Sequence, residues 1–132
     1  MSKLFQKLNL KDQKEILVLN SPESFEAELE KLQDIHITRD ISQVESVKFL
    51  LAFVQSSKEI GLLTEVFPAK APGDPLIWFA YPKKTSKKYT VDINRDQGWD
   101  ALEKAGFRPV RQVAIDEDWS ALRFRRIERI GK

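Results

Sequence analysis

The sequence predicts an α/β fold: a three-layer sandwich around a mostly parallel six-stranded sheet that ends in an antiparallel C-terminal hairpin. Three observations predict it. Short, almost wholly apolar runs alternate with stretches whose apolar residues recur at helical spacing, as in strands buried on both faces between crossover helices. The last quarter changes character, with two strand-like runs flanking Asp116-Glu117-Asp118. The chain has 132 residues, 42% hydrophobic and 32% charged, enough for one core and for a single domain over 1–132.

The elements follow in order. Glu15 to Leu19 (EILVL) reads as the first strand, ending at Asn20-Ser21-Pro22-Glu23. Ser21 is placed to cap a helix with Pro22 at its first position, where a missing N–H costs nothing. Phe25, Leu29 and Leu32 share that helix's apolar face. Ile35 to Ile37 is a short second strand, and Ser46 to Val54 a third. Ser56 and Glu59 have capping-box spacing ahead of a helix lined by Ile60, Leu63 and Phe67. Pro68, Pro72, Gly73 and Pro75 then break the chain before the fourth strand, Leu76 to Tyr81. Asn94 to Gln97 repeats the capping spacing, Trp99 and Leu102 share a face, and Gly106 stands where a left-handed C′ residue belongs. Pro109 to Ile115 and Trp119 to Ile127 form the closing hairpin.

Right-handed crossovers turn this succession into the strand order 2-1-3-4-6-5, with the last strand inserted antiparallel. That is the outline of a shortened methyltransferase-like Rossmann sheet.

Composition limits the function. Without cysteine there is no disulfide framework, thiol nucleophile or thiolate metal site. The net charge of +2 hides an asymmetry: residues 1–82 carry 9 basic and 12 acidic side chains, residues 83–132 carry 13 and 8. No apolar run approaches the ~18 residues that cross a bilayer, and Met1 to Asp12 lacks the apolar core of a leader. A cytoplasmic protein with no membrane partner is expected.

In open α/β sheets ligands bind beyond the carboxyl ends of the strands, where the strand order reverses. The loops arriving there hold Asn20 and Ser21, Gln55 and Ser56, and Lys83, Lys84, Thr85 and Ser86, with Lys87 and Lys88 on the same rim. Helix N-termini and lysines together suit an anionic small molecule. Ser21 and Ser56 are equally explained as helix caps, and the lysines as a solvated tip.

Several features argue against catalysis. S-adenosylmethionine (SAM) needs a glycine-rich first corner, because only backbone without Cβ lets the cofactor come close. Leu19-Asn20-Ser21-Pro22-Glu23 offers no glycine, and Asp40 is the one candidate to hold a ribose. Ser56 and Ser120 lack a recognisable base, and His36, the only histidine, sits between two isoleucines as a structural residue. Asp116, Glu117 and Asp118 in a hairpin turn are expected to be solvated rather than metal-bound. No cofactor and no metal are therefore expected.

In the basic second half, Tyr81 and Tyr89 flank the lysines and Arg123, Arg125, Arg126 and Arg129 follow. Basic residues interleaved with aromatics can bind nucleic acid, but Asp92, Asp96 and Asp116 to Asp118 dilute the field, so nucleic acid is disfavoured as a partner. Arg123 and Arg125 are expected on a wet sheet face, paired to those acids. Trp119 and Arg123 are the candidate residues for docking a protein partner.

Leu76-Ile77-Trp78, Pro82-Lys83, Asp92-Ile93 and Asp116 to Phe124 carry a further resemblance. The chain resembles a family of short bacterial proteins known only as a domain of unknown function, with an (I/L)W…PK strand and loop and an EDWS…R hairpin. The resemblance implies a methyltransferase-like domain in which Lys83 and Asp118 to Ser120 are the recurring polar residues, and it implies no activity. The expected function is a non-catalytic binding or interaction domain with an anionic-ligand rim. The alternatives are an enzyme, either degenerate methyltransferase-like or acting on a phosphorylated metabolite, and a nucleic-acid-binding protein.

Overall fold

The structure, a computed structural model, describes residues 3–86 and 91–130. A short helix α1 (Lys3–Lys7) precedes strand β1 (Glu15–Leu19). A 3-10 turn (Glu23–Phe25) leads into α2 (Glu26–Glu30), followed by β2 (His36–Thr38) and β3 (Phe49–Phe53). Then come α3 (Ser57–Lys70), β4 (Leu76–Pro82), α4 (Asp100–Lys104), β5 (Phe107–Ala114) and β6 (Trp119–Arg126). The sheet order is β2-β1-β3-β4-β6-β5, as the handedness of the crossovers predicts. Strands β2, β1, β3 and β4 pair in parallel, while β6 runs antiparallel to both β4 and β5. All five residues of β3 and all seven of β4 are buried, which is why neither shows polar alternation.

Each face of the sheet has its own core. On one, Leu17, Leu50, Phe79 and Phe124 pack against Ile60 and Phe67 of α3 and Leu102 of α4. On the other, Ile16, Phe49, Phe53 and Trp78 meet Phe25 and Leu29, together with Phe5, Leu8 and Leu10 from the first segment. The Trp78 indole donates to the Leu8 carbonyl (2.9 Å) and so ties that segment to the central strand.

Local chemistry departs from expectation in four places. Helix α1 has one buried residue, Phe5, too weak a pattern to stand out in the sequence. Ser21 does not cap a helix. The chain starts its turn as a 3-10 segment after Pro22, with no side-chain cap, and the Ser21 hydroxyl donates instead to Glu26 (2.9 Å). Asn94 does not cap α4 either; it closes a tight turn with Gln97, its amide donating to the Gln97 side chain (2.9 Å). Pro68 does not end α3, which runs on to Lys70. Gly106 (φ +91°) follows α4 as the sequence predicts, and Gly98 (φ +101°) lets the chain turn against Ile93.

Candidate functional site

Three of the four corners at the carboxyl edge of the parallel strands carry the rim residues the sequence singles out. At the first, after β1, Asn20 takes a left-handed conformation (φ +57°) that turns the chain without glycine. Arg39, just past β2, reaches across this corner. Its two terminal nitrogens donate to the two Glu26 oxygens (2.8 and 3.1 Å), and one also donates to the Ser21 hydroxyl (3.3 Å). The Arg39 hydrogen bonds, then Ser21, hold the Glu26 carboxyl below its usual range. Asp40, the ribose candidate, is turned to its own chain: one oxygen accepts from the Ser42 N–H (2.9 Å) and hydroxyl (2.8 Å).

The second corner, after β3, is the start of α3. Ser56 caps it as the sequence predicts, accepting from the Glu59 N–H (3.2 Å). Glu59 reaches back to the Gln55 N–H (2.6 Å). The positive end of this helix is met by a second carboxylate, that of Asp92, on the Ser57 N–H (3.0 Å) and hydroxyl (2.8 Å).

At the third corner, after β4, the Lys83 N–H donates to the Asp118 carbonyl (2.7 Å) and the Ser86 hydroxyl to the Asp118 carboxylate (2.8 Å). Lys84 and Thr85 are exposed. Lys87 and Lys88 lie outside the described residues. Lys84 borders a cavity of about 540 Å³ together with Tyr81, Arg95, Asp96 and Gln112. The buried Tyr81 hydroxyl accepts from the Gln112 amide (2.8 Å), which also donates to Ser120 (3.1 Å). Burial pushes the Tyr81 hydroxyl above its usual pKa, outweighing the hydrogen bonds from Ser120 and Gln112. At neutral pH Tyr81 therefore keeps its proton.

The eight rim residues thus spread over three corners: Asn20 and Ser21 at the first, Gln55 and Ser56 at the second, Lys83 to Ser86 at the third. Of these, Lys84 lines the cavity. Tyr81, Arg95 and Gln112 are not among the residues the sequence singles out for this rim: Tyr81 stands there as the end of the fourth strand and an aromatic flanking the lysines, and Arg95 and Gln112 carry no signal. The one available signal was a tyrosine ending a strand ahead of Pro82-Lys83.

Trp119 needs correction as a docking residue. It is buried, with its ring edge-on to Phe53 (5.1 Å between centroids). Its strand position points it into the core beside β3, where it is 2% exposed and not available for docking. Arg123, half-buried, stands opposite Arg111 on β5 and Trp78 on β4. Two of the acids expected to pair with it are engaged elsewhere: Asp92 is on Ser57, and Asp116 accepts the N–H groups of Asp118 and Trp119 (both 2.8 Å).

No family model matches the chain, and no curated protein matches it. Solved structures do. A SAM-dependent methyltransferase from Aquifex aeolicus is 12% identical with a TM-score of 0.65, over 93% of this chain and 87% of that one. The Methanococcus jannaschii fibrillarin pre-rRNA processing protein is 13% identical with a TM-score of 0.55, over 88% and 67%. The ribosomal protein L11 methylase from Lactobacillus delbrueckii subsp. bulgaricus is 15% identical with a TM-score of 0.51, over 86% of this chain and 58% of the methylase. At these identities the likeness establishes a methyltransferase-like fold. Among the described residues no helix is long and apolar enough to cross a membrane.

These neighbours correct the expectation of a non-catalytic binding or interaction domain. That expectation rested on the missing glycine corner, yet methyltransferases and a ribosomal protein methylase are among the solved structures that share this frame, so that corner is not decisive for the fold.

Proposed function

We propose that the chain is a methyltransferase-like enzyme, resident in the cytoplasm, that works at the carboxyl end of β4 on an anionic substrate. One observation carries the reading: a fold shared with methyltransferases has a cavity at the end of a central strand, lined by two cations, one carboxylate and a buried, protonated phenol. Lys84 and Arg95 supply the charge that attracts an anion. Gln112 orients the Tyr81 hydroxyl, which is left able to donate its proton to a substrate oxygen. The resemblance to the short bacterial family belongs to the same reading, since its recurring Lys83 and Asp118 meet here backbone to backbone.

The fold family implies SAM, and the first corner tests the fit. Close approach needs bare backbone, but Asn20, Ser21 and Pro22 all carry a Cβ, and the Arg39 guanidinium is bonded across the corner to Glu26. As arranged, these residues do not fit the cofactor. The chemistry assigned to the chain is accordingly that of its own side chains: binding the anion, orienting the hydroxyl and holding its proton.

Calorimetric titration tests the reading. Phosphorylated metabolites are expected to bind wild type and to weaken at least tenfold in K84A or R95A. SAM is expected to be silent with wild type and is offered also to R39A, in which the corner is released. Silence of wild type and R39A toward SAM, together with silence of wild type toward every phosphorylated metabolite at millimolar concentration, would overturn the proposal.

A further inference from the structure

Four arginines stand in two successive rungs of the closing hairpin. Arg108 lies directly opposite Arg125, and Arg111 directly opposite Arg123, with the intervening irregularity between Pro109 and Arg111 keeping all four in one register. Opposed residues share a face of a sheet, and Arg123 and Arg125, two apart on β6, share theirs. At the sheet edge the Arg108 guanidinium turns toward Glu103 of α4, so Arg111, Arg123 and Arg125 are the three that present their charge on this face. Like charges directly opposite each other destabilise a ladder. A chain selected for stability alone has no use for two such rungs in a row.

Little neutralises them. Among the described residues, the carboxylates within ion-pair distance of the four are Asp74 on Arg125 (2.6 Å) and the exposed Glu103 on Arg108 (3.5 Å). Arg111 donates to a neutral group, the Asn9 amide oxygen (3.3 Å). The Arg123 Nε is buried with no hydrogen-bond partner, a deficit that an uncommitted core position would not keep. Two of the acids expected to pair with them are used elsewhere, Asp92 on α3 and Asp116 on its own turn. By contrast Arg126, on the opposite face, is fully used in holding the carbonyls of Pro68, Ala71 and Gly73 at the end of α3.

We propose that this arginine face binds the phosphate backbone of a nucleic acid. A guanidinium fork matches phosphate geometry, and two rungs about 7 Å apart along the strand present a row of charge that suits a repeating polyanion better than a single metabolite. The contacts are to backbone, so binding is indifferent to base sequence and steeply dependent on salt. This face is distinct from the cavity at the end of β4, and its test does not depend on that cavity.

The test is fluorescence anisotropy of the full chain with a labelled 20-nucleotide oligouridylate, the matching single-stranded DNA and a DNA duplex, from 50 to 200 mM salt. With single strands, the log of the binding constant should fall linearly with log salt, by ~0.7 per phosphate neutralised. R111Q, at an exposed position, should flatten that slope by about 0.7, and R111Q/R123Q by about 1.4. Both variants should melt no lower than wild type, because they remove repulsion. The order of affinity among the three oligonucleotides identifies the strand form. No anisotropy change up to ~100 µM protein at 50 mM salt, or a slope unmoved by R111Q, overturns the proposal. Tighter binding to phosphatidylserine vesicles than to any oligonucleotide overturns it in favour of a lipid surface.

Discussion

Asp92 places both carboxylate oxygens on Ser57, one on the backbone N–H (3.0 Å) and one on the hydroxyl (2.8 Å), across 35 residues of sequence. The α3 N-terminus, an anion site by its dipole and free N–H groups, is thereby served by an anion of the same chain. An external phosphate would compete with Asp92 there.

D92N follows from that relationship. The variant is expected to melt at a lower temperature than wild type and to recover more of its stability in phosphate buffer than wild type does. Differential scanning calorimetry in phosphate and in a non-anionic buffer checks both. Equal phosphate responses would show that the helix start is closed for another reason.

The Trp78 indole is the buried polar tie between the first segment and the central strand β4. In W78F the buried Leu8 carbonyl loses its donor, at about 1–3 kcal/mol, with the ring volume largely kept. Urea unfolding should report that loss. Amide exchange should report faster opening of residues 3–10 than of β3.

Gly98 has φ +101°, and a Cβ there would collide with the Ile93 side chain. G98A is expected to cost more than about 1 kcal/mol by denaturant unfolding. G73A shares the positive φ but meets open space, so it should cost less. The difference between the two isolates the collision from the backbone strain.

Stability should fail in acid along a defined sequence of contacts. Glu26, Asp74 and Asp92 are held below their usual values by hydrogen bonds from Arg39, Arg125 and Ser57 respectively. A carboxyl whose pKa is lower folded than unfolded contributes stability that is present above the unfolded value and is lost as pH falls through the folded one. With unfolded values of 4.5 for Glu26 and 3.8 for Asp74 and Asp92, melting should be flat from pH 7 to about 5 and decline below about 4. D74N should flatten part of that decline. Added salt should weaken the Glu26 and Asp74 parts of it, because those two are ion pairs near the surface.

Much of the architecture was legible in the linear order of residues. Apolar runs at Ile16 to Leu19, Phe49 to Phe53 and Leu76 to Tyr81 leave a strand nowhere to lie except inside a sheet covered on both sides. Crossover handedness then leaves one strand order. Ser56 with Glu59, and Gly106, were equally legible, because their partners lie within four residues and local geometry decides them.

Contacts across long separations were not legible. Trp119 and Arg123 occupy the same face of β6, and alternation gives both the same environment. The structure buries Trp119 against Phe53 and leaves Arg123 beyond the cover, opposite Arg111. Arg39 crossing to Glu26, Asp92 crossing to Ser57 and Gln112 crossing to Tyr81 each depend on where two loops or strands come to rest. Sequence by itself determined the order of the strands, because apolar burial is set residue by residue along each run. Tertiary structure alone decided which charge meets which, because side-chain polar bonds form within about 3 Å and no periodicity encodes which distant segment supplies the partner.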